Sequence, residues 1–184
     1  DAAVAILNDW AKTCTGFIVN DKGEFIDPNE FLIFIQVHQI ANAAEIMRSY
    51  SGWQEADFVK FKAWIADVFY PHITKFLSTH NGNECALHYW LNWDLSAMTA
   101  LLSIGILADD NFKINEAIQY FKFGIGSGNI GNGVPFIHLD PDSNEMLGQC
   151  QESGRDQGHA MMSVAVTANL CQMAYTFYQC NPTT

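Results

Sequence analysis

The segment "QESGRDQGH" combines side chains that bind carboxylates with side chains that move protons. It holds Arg155, one of only two arginines in the 184 residues, between Glu152 and Asp156, with His159 four positions later. Residues four apart share one face of a helix, so the spacing predicts that the guanidinium of Arg155 and the imidazole of His159 lie together. Glu152 would orient the guanidinium. The ordinary alternative is an ion pair at a helix start, with a serine as its cap.

A second polar group interrupts an apolar stretch, "LHYWLNWDL". His88 and Asn92 are four residues apart there, followed by Trp93 and Asp94. On a helix they would form one polar face of an otherwise apolar element. A site and a pair of hydrogen-bonded core residues are both consistent with this pattern, and neither is preferred on spacing alone.

The charge balance excludes several kinds of partner. Lys and Arg number 9 against 20 Asp and Glu, which gives a net charge of −11. A nucleic-acid binder or a protein that docks on anionic membranes normally carries a basic surface, so we expect neither partner. We also expect no membrane span, because no window reaches the ~18 uncharged apolar residues that one needs. A polyanionic sugar would be repelled unless the few cations gather in one cleft, which makes the position of Arg155 decisive.

The apolar spacing is helical almost throughout, which predicts an all-α single domain over residues 1–184 built from antiparallel helical hairpins. The first helix would bury one stripe, Ala3, Ile6, Leu7, Trp10 and Ala11. The second would start at the cap Asp27 and end at 51–52. The third would run from about Gln54 to Leu77, kinked or split by Pro71.

Three further features complete the predicted order. A fourth helix would cover 84–108, and a fifth would start at the cap Asp110 and end at Gly124. Residues 124–146 are rich in Gly, Asn and Pro, which indicates a long functional loop outside the core, and no strand is expected. The last helix would contain His159. No element shows zinc-type Cys spacing, and the odd count of five cysteines leaves disulfides and free thiols equally open.

Aromatic residues and the second arginine have simpler explanations. Trp53, Trp64, Trp90 and Trp93 could stack on sugar rings, but most fall on apolar stripes and are expected in the core. Arg48 follows Glu45 by three positions, and a surface ion pair is the ordinary expectation for it.

Several segments together carry a family resemblance. The order "ILNDWA", "IANAAEIMRS", "LNWDLSAMTALLSIGILADD", "AIQYFKFG" and "ESGRDQGHA" resembles the helical alginate-lyase superfamily of polysaccharide lyases, which fold as (α/α) toroids. The resemblance implies a partial toroid, truncated at both ends relative to the family, with a second chain as a possible source of the missing helices. It further implies a secreted or periplasmic enzyme that needs no metal or other cofactor and acts on an acidic polysaccharide.

The family reaction assigns expected roles to residues. β-Elimination on a uronate polymer such as alginate or glucuronan requires a neutralised carboxylate and transfer of the C5 proton. By position, Asn92 and Arg155 would neutralise the carboxylate, and His159 would act as base or acid. Substrate contacts are expected from the following residues: Glu152, Trp93, His138 and Tyr89. Asp156 would support the site together with Glu152.

The chain departs from the family pattern at two positions. Trp93 stands where several relatives have a catalytic His, so His88 or His138 would have to fill that role. The catalytic Tyr of many relatives has no clear counterpart after Arg155, and Tyr89 is the nearest candidate. These departures keep a non-catalytic carbohydrate-binding or structural relative open as the alternative. A glycoside hydrolase is weaker, because it needs two facing carboxylates and only Glu152 with Asp94 or Asp156 could supply them.

Overall fold

The computed structural model of the protein describes residues 2–16, 34–80 and 89–180. Within these ranges the chain is mostly helical, which confirms the all-α prediction at the level of fold class. The α-helices are α1 (Ala2–Thr13), α2 (Phe34–Ile46), α3 (Glu55–Thr79), α4 (Leu91–Ala108), α5 (Asn111–Phe123), α6 (Ile130–Gly133) and α7 (Gln157–Cys180). Strands β1 (Phe136–Leu139) and β2 (Met146–Gln149) form a hairpin, and a 3-10 helix covers Gln151–Gly154.

Helix α4 is the centre of the fold. It packs against α2, α3, α5 and α7, and nearly all of its side chains are buried. A helix that is apolar on every side must be covered on every side, so the sequence of α4 requires neighbours all around. Contrary to the expectation from sequence, α4 is also long and apolar enough to qualify as a membrane span, but 89% of it is buried by the other helices, as for the core helix of a bundle.

The start of α4 corrects the predicted helix over 84–108. Trp90 has extended backbone angles, and the helix begins at Leu91. The physical cause is a side chain distant in sequence, because Gln151 Oε1 accepts a hydrogen bond from the Leu91 N–H at 2.6 Å. This contact caps the helix and fixes where it begins. The predicted portion at 84–88 lies outside the described residues.

Helices α1 and α2 form where predicted, but the buried stripe of α1 and the end of α2 differ from the prediction. In α1 the buried side chains are Val4 and Leu7, and of the other predicted stripe members Ala11 is half-buried while Ala3, Ile6 and Trp10 are exposed. The helix packs mainly against α3, so only a narrow stripe is covered. Helix α2 ends at Ile46, earlier than expected, and its predicted cap lies outside the described residues.

Helix α3 contains a proline that was expected to interrupt it, and helix α5 lies between two predicted caps. Pro71 lies inside α3 and does not split it. Asp110 caps α5 as predicted, since its carboxylate accepts from the N–H groups of Phe112 and Lys113. Gly124 ends α5 in an extended conformation, so it is not a left-handed cap.

The glycine-rich segment is more ordered than a plain loop. It contains α6 and continues into the β1–β2 hairpin, in which Phe136 pairs with Gln149 and Leu139 pairs with Met146. Every residue of both strands is exposed, so the hairpin lies outside the core as predicted. The start of the segment does not, because Gly126, Ser127 and Gly128 are buried. The prediction of no strand is wrong, since "FIHL" pairs with "MLGQ" across a polar turn. Neither segment alternates between polar and apolar residues, so the usual sequence signal for a strand is missing.

Candidate functional site

The 3-10 helix Gln151–Gly154 is held against the start of α4. Besides its bond to Leu91, the Gln151 side chain donates from Nε2 to Ser127 Oγ at 3.0 Å. One amide therefore joins the start of α4, the glycine-rich segment and the turn that carries Glu152 and Arg155. The backbone N–H of Arg155 closes that turn on the Glu152 carbonyl at 2.9 Å.

Arg155 lies on an open surface beside this junction. Its guanidinium carbon is 5.4 Å from the centroid of the Trp90 ring, a cation–π distance. Trp90 is 43% exposed, so it is not the core residue that was expected. Arg155 Nη1 is 3.5 Å from Glu152 Oε2 and Nε is 3.9 Å from Asp156 Oδ2, both at or beyond the limit of a good hydrogen bond. The guanidinium therefore keeps most of its donors for a ligand.

His159 forms a close pair with Asp156. The ring Nδ1 is 2.6 Å from Asp156 Oδ2, and the His159 backbone N–H donates to Asp156 Oδ1 at 2.9 Å. An ionised carboxylate can only accept, so Nδ1 carries the proton and Nε2 of the neutral ring has a lone pair. The His159 backbone N–H first, and its ring second, hold the pKa of Asp156 below its usual value. His159 is thereby oriented as a proton acceptor.

The expected geometry of Arg155 and His159 is wrong in one respect. Helix α7 begins at Gln157, with Asp156 as its capping residue, so Arg155 lies before the helix and does not share a helical face with His159. The two side chains are instead linked by Asp156, whose Oδ2 faces both of them. The alternative expectation was an ion pair at a helix start with a serine as its cap. It is met in part, since the start of α7 carries ion pairs, but the cap is an aspartate.

Two of the predicted residues are buried behind this surface. Asn92 lies in the first turn of α4 and is 2% exposed, and its Oδ1 has no hydrogen-bond partner among the described residues. Glu152 is fully buried, and within the same part of the chain its Oε1 is likewise unpaired. Glu152 therefore lies behind Arg155, and its burial does not fit the predicted contact with substrate.

The remaining predicted residues lie elsewhere. Trp93 is buried, and its ring packs against Phe76 and Tyr89, with centroids 6.2 and 5.1 Å away. These rings form an aromatic cluster in the core, so Trp93 and Tyr89 do not form an open sugar-binding face. His138 lies on β1, where its Nε2 is 3.0 Å from Gln149 Oε1 on the partner strand. His88 lies outside the described residues.

The structure adds a buried cluster that the sequence did not indicate. Asp94 is fully buried, and its Oδ1 is 3.1 Å from His80 Nε2. Asp94 Oδ2 accepts from the Tyr120 hydroxyl at 3.2 Å and from the Gly128 N–H at 3.0 Å. These partners come from the end of α3, from α5 and from the glycine-rich segment. An acidic residue inside an apolar helix was the only available signal.

Other predicted features are simpler. Trp53 and Trp64 are core residues, and Arg48 pairs with Glu45 at 2.8 Å, both as expected. Arg48 also pairs with Asp109 at 3.0 Å. Within the described ranges the thiols of Cys14, Cys150, Cys171 and Cys180 are free, and no group of three or more His, Cys, Asp or Glu side chains is placed to hold a metal ion.

The facing carboxylates that a glycoside hydrolase needs are not formed by Glu152 and Asp94, because both are buried. Asp156 is exposed but is committed to His159. Comparison with protein-family models, with characterised proteins and with solved structures finds no match to this chain. The chemistry of the site therefore rests on its own geometry.

Proposed function

We propose that the protein is a polysaccharide lyase that cleaves a uronic-acid polymer, such as alginate or glucuronan, by β-elimination. The observation that carries the proposal is the grouping of a largely uncommitted guanidinium, an exposed indole and an oriented imidazole around the start of α4. These are Arg155, Trp90 and His159. Each supplies one requirement of elimination from a uronate.

Arg155 supplies the positive charge. The C5 proton of a uronate is weakly acidic because removing it places negative charge next to an existing carboxylate. A guanidinium binds that carboxylate with two parallel hydrogen bonds and stabilises the charge as it develops. The side chain is about a third exposed (34%), so a carboxylate can reach it from solvent.

Trp90 supplies an apolar surface beside that charge. Its position under the guanidinium restricts the side chain of Arg155, and its exposed remainder can pack against the apolar face of a sugar ring. A uronate has both features, a carboxylate and an apolar ring face.

His159 supplies the proton transfer. Its Nε2 lone pair takes the C5 proton, the electrons of the C5–H bond form the C4–C5 double bond, and the bond from C4 to the glycosidic oxygen breaks. The protonated ring then returns a proton to the departing oxygen. Asp156 fixes the tautomer and stabilises the imidazolium. Asn92 and Glu152, both buried, support this surface from behind and do not contact the sugar.

The fold is compatible with a partial (α/α) toroid, which we propose as its architecture. Helices α4 and α5 are joined by two residues, Asp109 and Asp110, and pack against each other, as in a helical hairpin. Helix α7 also packs against α4, and the turn before α7, which leads to Arg155, lies at the start of α4. The α4–α5 hairpin, with the candidate site beside the start of α4, is the feature that supports the proposal.

The test is growth of ultraviolet absorbance from the new double bond when the protein is incubated with alginate, polyglucuronate and other uronate polymers. Arg155→Ala is expected to abolish the signal, and Arg155→Lys to restore little of it, because a lysine cannot bind a carboxylate in the bidentate manner. Arg48→Ala is the matched control, since Arg48 is the other arginine and its partners, Glu45, Asp109 and the carbonyls of Ile106 and Leu107, lie at the opposite end of α4 from Arg155. Its activity should remain near that of the wild type.

Two results would contradict the proposal. A folded wild-type protein that cleaves none of the polymers is not a lyase of this class, and retained binding would then favour the non-catalytic carbohydrate-binding alternative. Equal losses in Arg155→Ala and Arg48→Ala, with circular dichroism unchanged, would show that the site is not at Arg155.

A further inference from the structure

We propose that the buried carboxylate of Asp94 is a positioning group, which holds the glycine-rich segment in place and, through Ser127 and Gln151, fixes the turn that presents Arg155. Its effect on cleavage rests on the proposed function. Its effect on the structure of the turn does not, and the two can be measured separately.

Asp94 is built as a fixed anchor. The carboxylate is fully buried, and it receives hydrogen bonds from His80, Tyr120 and the Gly128 backbone. A buried carboxylate is tolerated when its oxygens are occupied in this way. Three donors from separate elements therefore meet at one group, which leaves the glycine-rich segment few alternative positions.

The close approach of the backbone to Asp94 requires glycine at two positions of this segment. A Cβ on Gly126 would lie 2.0 Å from Asp94 Oδ2 and 2.8 Å from His80 Nε2. A Cβ on Gly128 would lie 2.3 Å from Asp94 Cβ. Real Cβ atoms do not approach other atoms so closely, so only glycine lets the backbone reach the carboxylate at both positions. The segment is glycine-rich where it contacts Asp94.

A continuous series of contacts leads from the anchor to Arg155. Ser127 lies between the two glycines, is fully buried and accepts from Gln151 Nε2 at 3.0 Å. Gln151 is the first residue of the 3-10 helix, and the Arg155 N–H closes that helix on Glu152. Displacing Gly128 from Asp94 would therefore displace Ser127, release Gln151 and loosen the backbone of Arg155.

Tyr120 is a donor in this cluster and not a catalytic base. Burial first, and the Asp94 carboxylate second, raise the pKa of Tyr120 well above its usual value. The phenol therefore stays protonated and donates to Asp94. This makes Tyr120→Phe a mild way to weaken the anchor, since the ring remains and one donor is lost.

The experiment is hydrogen exchange measured by mass spectrometry on Tyr120→Phe, with Tyr70→Phe as a matched control. The Tyr70 hydroxyl also donates to a carboxylate, Glu116 Oε2 at 3.0 Å, but this bond joins α3 to α5 and does not involve the glycine-rich segment. We expect exchange to become about tenfold faster at 126–129 and at 151–155 in Tyr120→Phe, and to stay unchanged there in Tyr70→Phe. Faster exchange confined to 126–129, or equal in both variants, would overturn the proposal.

A kinetic measurement distinguishes positioning from a general loss of stability. Displacement of a substrate-binding group by about an ångström lowers kcat by roughly ten- to a hundredfold, so Tyr120→Phe should lose activity while Tyr70→Phe does not. In an Arg155→Lys background, which keeps a small activity, Tyr120→Phe should cause much less further loss, because the bidentate contact that it positions is already gone. An additional loss of the same size in that background would contradict the assignment.

The exchange result remains informative if the lyase proposal fails. Propagated exchange without cleavage of any polymer would retain the positioning role and reject the proposed function. Cleavage that depends on Arg155, with exchange at 151–155 unchanged in Tyr120→Phe, would retain the function and reject the positioning role.

Discussion

Two aspartates at the same end of the molecule are used in opposite ways. Asp94 is fully buried, and donors from three separate elements fill its oxygens. Asp156 has about half of its side chain exposed (48%) and bonds the backbone and the ring of a single residue, His159. The first carboxylate fixes several elements relative to one another. The second orients one ring and leaves that ring open to solvent.

The difference shows how a small fold separates rigidity from chemistry. A carboxylate whose partners are all protein donors has no capacity left for a ligand, but its loss leaves several buried groups unpaired. A carboxylate that hydrogen-bonds Nδ1 of a histidine leaves Nε2 of that ring free to exchange a proton. Stability should therefore be sensitive at Asp94, and activity at Asp156.

The largest expected effect is the loss of stability in Asp94→Ala. Removing the carboxylate leaves the buried Gly128 N–H and the partly buried Tyr120 hydroxyl without this acceptor, and breaking such a network costs about 3–5 kcal/mol in the free energy of unfolding. Denaturant unfolding followed by circular dichroism measures it. Asp156→Ala, on the exposed side, should unfold at a denaturant concentration much closer to that of the wild type.

If Asp94→Ala lowered the free energy of unfolding less than Asp156→Ala, the contrast between the two aspartates would be wrong. Asp94→Asn sharpens it, because the amide oxygen can still accept from Gly128 while the charge is lost. We expect its unfolding free energy to fall between those of the wild type and Asp94→Ala. Equality with Asp94→Ala would show that the charge, and not the bond to the segment, stabilises the anchor.

The second effect concerns activity at the exposed pair. If His159 transfers the proton, His159→Gln should lower kcat by about 10²–10⁴-fold. Asp156→Asn should lower kcat less, because the imidazole remains but its tautomer is no longer fixed. Absorbance assays on the most active polymer measure both. A larger loss in Asp156→Asn than in His159→Gln would assign the chemistry to the carboxylate.

The pH dependence of the cap at Asp156 has a definite sign. Because His159 lowers the pKa of Asp156 in the folded state, the ionised carboxylate stabilises the start of α7 above its ordinary pKa. This contribution is lost only as the pH falls through the lowered value. Helical signal from α7 that weakened instead between neutral and alkaline pH would contradict that assignment.

Helix ends that are set by neighbouring residues could be predicted from the sequence. Contacts between residues far apart in the chain could not. Asp110 and Gly124 bound α5 as expected, because a cap acts on the first or last turn of its own helix. The start of α4 could not be predicted, since Gln151 sets it from 60 residues away. The same limit applies to Arg155 and His159, which spacing placed on one helix although a cap intervenes.

The candidate site was predicted in part for the same reason. Arg155, Asp156 and His159 were identified from one short segment, and they do lie together. Trp90 was assigned to the core because it lies in an apolar stretch, but the extended backbone before α4 leaves it exposed. The Asp94 cluster joins residues 80, 94, 120 and 128, and no spacing rule relates positions so far apart.

The smallest expected effect is at Asp110, an aspartate intermediate between the other two. It caps α5 and also pairs with Lys113, whose hydrogen bond is the main reason that the pKa of Asp110 lies below its usual value. Asp110→Ala removes both contacts and should lower the unfolding free energy by about 1 kcal/mol at neutral pH. Asp110→Asn keeps the cap and should lose less, a difference that denaturant unfolding can measure.

The pH profile of that difference separates the cap from the ion pair at Asp110. A lowered folded pKa means that the ionised form stabilises the protein above the ordinary pKa and stops doing so as the pH falls through the lowered value. The gap between the wild type and Asp110→Asn should therefore close in acid, while Asp110→Ala stays less stable than Asp110→Asn. Equal destabilisation by Ala and Asn at neutral pH would show that the ion pair with Lys113, and not the cap, stabilises the start of α5.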